Sequence, residues 1–348
     1  ASLNLYPYNG SNSGGNGLSR FWVDNISFSH LPYAIPYFNA GLYKIDVNLN
    51  PIINTDVTPE LEVRNLGTLP ITSFDVDITY GGVTQTQSVS GVSIATLDTY
   101  TFKLNSSYTI SSGDTAFYAK LPNINGIGAD LDSTDDSKTV FINIFEPVLG
   151  KVVVVEEATG TWCGWCPRGT VAMDYLERDY NGYAAGIAVH NNDPMADSAY
   201  DANMGPRISG YPNALVDRGS GMNPVAIFTP VRESLLKNPM AILTNGASYD
   251  ASTGLLNVSI TADFAGAANN NWKLACTLTE DSITGSGSGY NQSNSYSGGG
   301  SGSLVGPDGV DWASLPSSVP SSQMVYNHVA RAIAPNFNGN ASSLDRKS

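Results

Sequence analysis

Residues 151–170 constrain this chain more than any other segment. They begin with consecutive valines at positions 152–155, an unbroken β-branched run that predicts a strand buried on both faces of a parallel sheet. A short turn then leads to Cys163 and Cys166, and residues 168–180 have the apolar spacing of a helix. A strand, a turn and a Cys-x-x-Cys motif at a helix N-terminus are the layout of a thiol redox site.

The position of the two cysteines predicts different roles for them. The unpaired amides and the dipole at a helix N-terminus stabilise an anion, so we expect Cys163 to be the attacking thiolate. Cys166, one turn further in, would then resolve the mixed disulfide. Arg168 lies in the first helical turn and either stabilises the same thiolate or points to solvent.

Two other interpretations of the cysteine pair stay open. Zinc normally takes four ligands, but the sequence has no second Cys-x-x-Cys motif, and its histidines (His30, His190 and His328) lie far apart. A structural disulfide without redox function is the remaining alternative. The sequence context favours the redox interpretation.

Residues 156–166, EEATGTWCGWC, resemble the active-site strand and loop of thioredoxins, in which a buried acid precedes the first cysteine. The resemblance implies that Glu157 accepts a proton from Cys166, and burial would suit this role by raising the pKa of the carboxyl. Residues 207–217 resemble the thioredoxin segment that carries a cis-proline opposite the cysteines. We therefore expect a cis peptide bond between Tyr211 and Pro212, with Pro212 against the substrate.

Three strings, EEATGTWCGWCPRG, VHNNDPM and SGYPNALVDR, together resemble a narrower group, the thioredoxin-like outer-membrane protein family of Bacteroidota. The likeness covers residues 151–218. It implies an exported protein, at the cell surface or outer membrane or secreted, with the periplasm as the weaker alternative. It also implies that the partners are thiols or disulfides of proteins or peptides.

Aromatic residues and one histidine surround the predicted thiols. We expect Trp162 to pack around the loop, whereas Trp165 either packs or lines an apolar rim for a peptide substrate. The alternative role for Trp162 is the same substrate rim, to which Tyr211 would also belong. His190 ends the neighbouring parallel strand, on the side of the sheet where the cysteines lie. It either tunes the thiolate and binds substrate, or is a hydrogen-bonded structural histidine.

Composition excludes several classes of partner. Only 14% of the 348 residues are charged, yet the net charge is −14, which disfavours binding to nucleic acid or to anionic lipid. The apolar runs are shorter than the ~20 residues that a membrane-spanning helix needs. Ala1 does not begin a signal peptide, which indicates a processed chain. With three cysteines, a disulfide-stapled scaffold is excluded.

The hydrophobic pattern divides the chain into four regions. Residues 1–42 are an irregular arm with one strand at 21–28, and residues 43–147 alternate with period two, as in an immunoglobulin-like β-sandwich. Residues 148–238 carry the thioredoxin-like unit. Residues 239–348 are a β-rich domain with a mobile Gly/Ser-rich loop at 284–303 and a tail. The predicted fold class is thus a thioredoxin-like α/β domain between two β modules.

Four acidic residues crowd one loop before the strand at Val140: Asp130, Asp132, Asp135 and Asp136. They are either a solvated turn or a Ca²⁺ site, although their spacing is not that of an EF-hand. We expect no other cofactor beyond the Cys163–Cys166 disulfide itself.

Two functions fit these patterns. The first is an exported thiol–disulfide oxidoreductase that acts on protein disulfides or thiols through the Cys-Gly-Trp-Cys site. The second is a cell-surface interaction or adhesion protein whose thioredoxin-like unit is a non-catalytic spacer. The first requires that the flanking β regions leave Cys163 open to a protein partner. A Cys163 sealed by a flanking region or by the 284–303 loop would favour the second.

Overall fold

The computed structural model of this chain describes residues 36–130, 132–266 and 272–339. The predicted strand at 21–28 and most of the predicted arm and tail lie outside these residues. Within the described ranges, no helix has the length and apolarity needed to cross a bilayer.

The described residues within 40–141 form an antiparallel β-sandwich, as the period-two pattern predicts. The strands are β1 (Ala40–Asp46), β2 (Asp56–Val57), β3 (Glu60–Asn65), β4 (Ile71–Tyr80), β5 (Val83–Ile94), β6 (Thr99–Lys103), β7 (Tyr108–Thr109), β8 (Ala116–Ile124) and β9 (Ser137–Phe141). One sheet has the order β1-β3-β6, the other has the order β5-β4-β8-β9, and β2 pairs with β7.

Strand β4 shows how the alternation builds the core of the sandwich. Its even-numbered residues from Phe74 to Tyr80 are buried, while the residues between them are only partly covered. Tyr80 stacks on Phe117 of β8 with ring centroids 4.4 Å apart, and Phe74 meets Phe102 of β6 edge-on at 5.3 Å. Gly81 and Gly82, with φ of 59° and 71°, form the tight turn into β5.

The second half of the chain contains a mixed sheet and a protruding hairpin. Its elements are β10 (Val153–Thr159), α1 (Pro167–Tyr180), β11 (Ala184–His190), α2 (Ser198–Met204), β12 (Asn213–Val216), α3 (Phe228–Leu235), β13 (Ala241–Asp250), β14 (Leu255–Phe264), β15 (Cys276–Glu280), β16 (Gln292–Ser293), β17 (Ser318–Val319) and β18 (Val329–Ala334).

The five-stranded mixed sheet has the order β12-β10-β11-β18-β15. Strand β10 runs parallel to β11, from Val153 opposite Ala184 to Thr159 opposite His190, and antiparallel to β12. Strand β18 lies parallel to β11 and antiparallel to β15. The hairpin β13–β14 forms a separate two-stranded sheet. The predicted strand at 184–190 is confirmed.

The predicted fold class is wrong. The described part of the chain is dominated by strands, and its three α-helices have 14, 7 and 8 residues. Residues 148–238 supply only three of the five strands of the mixed sheet, and β15 and β18 come from the C-terminal region. A thioredoxin-like α/β domain enclosed between two β modules is therefore not what forms, because distant strands complete the sheet.

The valine run is also less buried than its composition predicts. Strand β10 begins at Val153, and Val152 and Val154 are exposed, whereas the residues from Val155 to Thr159 are all buried. The half of β10 that is covered on both faces is therefore the half that leads into the cysteine loop.

We predict that Asn65→Ala lowers the free energy of unfolding by about 3 kcal/mol, because it removes a buried amide with several hydrogen bonds. The Asn65 side chain donates to the carbonyls of Leu69 and Ile94 at 2.9 and 2.8 Å and accepts from the Gly67 amide. Chemical denaturation measures the loss. The exposed Asn105→Ala is the control, and an equal effect of the two changes would contradict this account.

Candidate functional site

The two cysteines lie where β10 passes into α1, and they form a disulfide. The Cys163 amide donates to the Gly160 carbonyl at 3.0 Å, and the Cys166 amide donates to the Cys163 carbonyl at 3.1 Å. Cys166 is the N-cap residue of α1, and Pro167 begins the helix. The predicted arrangement of strand, turn, cysteine pair and helix is confirmed.

A segment from the C-terminal region covers the disulfide. Residues 291–296, here called the strap, run along the cysteine loop. The Ser293 amide donates to the Thr161 carbonyl, and the Ser295 amide donates to the Gly164 carbonyl, both at 2.8 Å. The Gln292 side chain donates to the Cys163 carbonyl at 3.0 Å. Cys163 is only 4% exposed and Cys166 is fully buried, so the expectation that flanking regions leave Cys163 open is wrong.

Buried amides hold the strap in place. Gln292 and Asn294 are both buried, and the Asn294 side chain donates to the Trp312 carbonyl at 2.8 Å. Gln292 also belongs to β16, which pairs with β17. The Tyr296 ring meets Trp165 edge-on with centroids 5.4 Å apart. The expectation of a mobile 284–303 loop is therefore wrong for the strap. Composition alone gives no signal of which polar side chains will be buried.

Glu157 lies under the first turn of α1. It is 2% exposed, and its Oε1 atom has no hydrogen-bond partner among the described residues. Any side chain at Gly169 would overlap this oxygen, so the glycine makes room for the carboxyl. Burial raises the pKa of Glu157 to about 8, and Asp174 adds a nearby like charge. The predicted buried acid is thus present beside the cysteine helix.

A cavity of about 530 Å³ adjoins Glu157 between the mixed sheet, α1 and the C-terminal region. Burial, with Asp308 and Glu177 nearby, raises the pKa of Asp174 in its wall to about 6. The cavity gives the Glu157 carboxyl space for water, which suits a group that exchanges protons. Its titratable lining residues are Glu157, Asp174, His190, Asp308, Tyr326 and His328.

Glu156 points to the opposite face of the sheet and is fully paired. The Tyr200 hydroxyl donates to its Oε1 at 2.6 Å, and Arg218 Nε donates to the same atom at 3.0 Å. The Arg218 guanidinium also lies 3.9 Å from the centre of the Phe337 ring. Glu156 is a structural charge, and in the sequence only the resemblance to thioredoxins distinguishes Glu157 from it.

His190 is buried and structural in this arrangement. Its Nδ1 atom lies 2.7 Å from Asp193 Oδ2, and both side chains are almost fully covered. The same Asp193 oxygen accepts the Thr161 amide at 3.0 Å, so the pair anchors the start of the cysteine loop. The sequence did not single out Asp193. Of the two roles considered for His190, the hydrogen-bonded structural one matches this geometry.

The aromatic residues expected to line a substrate rim make contacts within the chain. Trp162 donates from Nε1 to the Asn191 carbonyl at 2.8 Å and meets Tyr211 edge-on at 5.4 Å. Trp165 is about half exposed, and the Arg168 guanidinium lies 5.9 Å from its ring centre. The predicted cis bond between Tyr211 and Pro212 is confirmed.

The acidic loop lies in the β-sandwich, away from the mixed sheet that carries the disulfide. Carboxylate oxygens of Asp130, Asp135 and Asp136 all lie within 4.8 Å of one another. Asp132 does not join them: its Oδ1 atom accepts from the Thr134 amide and hydroxyl at 3.2 and 2.5 Å. Three of the four acidic residues named from the sequence thus converge.

No protein-family model and no curated protein matches this chain. Among solved structures, the CARDB domain of the PF1109 protein from Pyrococcus furiosus, in complex with di-metal ions, is 14% identical, with a TM-score of 0.28 over 33% of this chain and 99% of that one. A cycloisomaltooligosaccharide glucanotransferase from Paenibacillus sp. is 15% identical, with a TM-score of 0.24 over 42% of this chain and 20% of that one. A beta-glucosidase from Listeria innocua is 8% identical, with a TM-score of 0.21 over 31% and 16%. Likenesses this weak carry no argument about this chain.

We predict that Glu157→Gln changes the pH dependence of stability. The folded-state pKa of about 8 lies above the ordinary 4.5, so the neutral carboxyl contributes stability fully below pH 4.5, and this is lost as the pH rises to 8. Between those values the wild type should lose up to about 1.4 kcal/mol per pH unit relative to Glu157→Gln. Denaturation across this pH range measures the difference. The exposed Glu233→Gln should follow the wild type, and parallel curves for Glu157→Gln and wild type would refute a buried neutral acid.

Proposed function

We propose that this protein is a cell-surface interaction protein that associates with a second copy of itself through the β13–β14 hairpin, and that its disulfide is a closed structural element. The observation that carries the proposal is the apolar surface that this hairpin exposes on both faces. The covered disulfide is the supporting observation.

The closed disulfide weighs against catalysis as the main role. A catalyst of disulfide exchange must present its leading sulfur to the sulfur of another protein. Here the strap bonds to the backbone of Thr161, Cys163 and Gly164, so a protein substrate would have to displace several hydrogen bonds before attack. A structural disulfide has no such requirement.

Among the residues that the structure describes, nothing packs over the hairpin as a stable sheet needs. Ile242 and Leu243 are neighbours on β13 and point to opposite faces, yet they are 44% and 57% exposed. Leu255 and Leu256 on β14 are likewise both exposed. A two-stranded hairpin alone is marginally stable in water, and exposed apolar surface of this kind marks an interaction site. The hairpin therefore has the character of a surface completed by a partner.

A second copy matches the chemistry of this surface. Each outer edge of the hairpin has backbone groups that pair with no other described strand, and two identical edges can pair antiparallel about a two-fold axis. Full antiparallel overlap of two β14 edges places Asp263 opposite Leu256 of the other copy. Overlap of two β13 edges places Asp250 opposite Ala241. Like charges do not face each other in either pairing, despite the net charge of −14.

The base of the hairpin extends the same surface. A cavity of about 890 Å³ separates it from the edge of the mixed sheet, with Leu243 and Phe264 on one side and Val154 and Val216 on the other. An apolar side chain from an associated copy could fill this space, which would add buried area beyond the paired strands.

The proposal includes export of the protein from the cytoplasm. Disulfides persist in oxidising compartments and are rare in reducing ones, so the Cys163–Cys166 bond supports export. The likeness of residues 151–218 to exported Bacteroidota proteins points the same way.

We predict that the full chain is dimeric in analytical ultracentrifugation and that Leu255→Lys raises the dimer dissociation constant at least about tenfold. The substitution places a charge on the shared apolar face. Val83→Lys is the matched control, since Val83 is an equally exposed apolar residue on the sandwich strand β5. A wild-type chain that stays monomeric at all accessible concentrations would overturn the proposal.

Thiol–disulfide exchange is the second candidate, favoured by one observation. The buried Glu157 carboxyl, with its raised pKa and an Oε1 atom that has no partner among the described residues, lies under the first turn of the helix that Cys166 caps. A proton acceptor beside a resolving cysteine is what disulfide exchange uses. In this candidate the strap must open before Cys163 can react.

We predict that Gln292→Ala accelerates reduction of the disulfide by a small dithiol several-fold, because the hydrogen bond to the Cys163 carbonyl is lost. Alkylation of freed thiols followed by mass spectrometry measures the rate. The exposed Gln323→Ala is the control. If the folded wild type is reduced as fast as the unfolded chain, the strap does not protect the disulfide, and the oxidoreductase candidate replaces the interaction one.

A further inference from the structure

The acidic loop contains oxygens that the structure leaves without partners. Asp136 is 1% exposed, and neither of its carboxylate oxygens has a hydrogen-bond partner within residues 36–130, 132–266 and 272–339. Asp135 Oδ1 is buried and has no partner in these ranges either. Burying a carboxylate without a compensating partner costs several kcal/mol, so such groups are normally paired or bind a metal. The buried Asp136 carboxylate is therefore the group in this loop that most needs a partner.

The loop residues are fixed by both sheets of the sandwich. The Leu42 amide of β1 donates to the Asp135 carbonyl at 2.8 Å, and the Leu121 amide of β8 donates to the Asp136 carbonyl at 2.9 Å. The Ala40 amide donates to Asp130 Oδ2 at 2.8 Å. The three carboxylates are thus held together by backbone contacts with two strands, and their crowding does not depend on flexible surface side chains.

From this geometry we propose that Asp130, Asp135 and Asp136 bind one Ca²⁺ ion that links the two sheets of the sandwich. All the side-chain ligands are carboxylate oxygens, the donors that hard divalent cations prefer. The ion would satisfy the unpaired oxygens of Asp136 and offset the repulsion among the three charges.

The arrangement of the donors favours Ca²⁺ over Mg²⁺. The three carboxylate oxygens lie within 4.8 Å of one another, close enough to share one ion. Mg²⁺ demands near-ideal octahedral geometry, which three carboxylates from one irregular loop do not impose. Ca²⁺ also tolerates irregular coordination, and water can complete its shell.

The charges around the site agree with a cation between the aspartates. The three carboxylates crowd together, and Lys120 of β8 is a nearby positive charge at Asp136. A bound divalent cation would remove the repulsion that one lysine leaves.

Calorimetric titration of the full chain with CaCl₂ after dialysis against EDTA tests the proposal. We expect one Ca²⁺ per chain, and we expect Asp135→Asn and Asp136→Asn each to weaken binding at least about tenfold. The exposed Asp98→Asn, on the same sandwich, should leave the affinity unchanged. An absence of binding at millimolar CaCl₂ would overturn the site. Equal or tighter binding of MgCl₂ would overturn the assignment to Ca²⁺.

Thermal unfolding separates a metal site from a purely structural cluster. CaCl₂ should raise the Tm of the wild type and, at the same concentration, raise that of Asp136→Asn by clearly less, because stabilisation by a ligand falls as its affinity falls. In EDTA, Asp136→Asn should be at least as stable as the wild type, since it loses an unpaired buried charge. If Asp136→Asn is less stable than the wild type in EDTA, the carboxylate has a structural partner and the proposal fails.

Discussion

Strand β10 must bury two consecutive carboxylates on opposite faces of the mixed sheet, and much of the second half of the molecule is arranged around them. On one face, Tyr200 and Arg218 pair with Glu156, and Arg218 also donates to the Phe337 carbonyl at 2.6 Å. On the other face, Glu157 fits beneath α1 only because residue 169 is glycine. The Glu156 carboxylate is hydrogen-bonded at both oxygens, whereas Glu157 keeps one buried oxygen without a partner among the described residues. The contrast places the group suited to proton exchange on the α1 side.

The loop that carries the disulfide is also enclosed, by contacts from two sides. The Asp193 carboxylate secures the loop from the β11 side and the strap secures it from the C-terminal side. The loop thus makes backbone hydrogen bonds to two different parts of the chain. A loop with both sides bonded is rigid, which suits a structural element better than a surface that must accept varied protein substrates.

The sequence predicts the local features of this region well, because short-range chemistry determines them. The strand at 184–190, the cysteine pair at the start of α1 and the cis bond before Pro212 follow from contiguous residues. It does not predict that β18 joins β11 through Val329 opposite Ala188, or that Ser295 contacts Gly164, because these contacts join distant parts of the chain. The acidic loop lies between these cases: its residues are adjacent, but their burial depends on β1 and β8. The predicted fold class was wrong for the same reason, because the strands that complete the mixed sheet are distant in sequence.

The position of β18 in the mixed sheet has a consequence for synthesis of the chain. Strand β11 is made long before its second neighbour, with about 140 residues between Ala188 and Val329. Until then one edge of β11 has no strand beside it, and the cysteine loop has no strap above it. During this interval an oxidant or a chaperone can reach Cys163 and Cys166, which the finished fold encloses. The order of the elements along the chain thus gives the thiols a period of access in the nascent protein that the mature protein lacks.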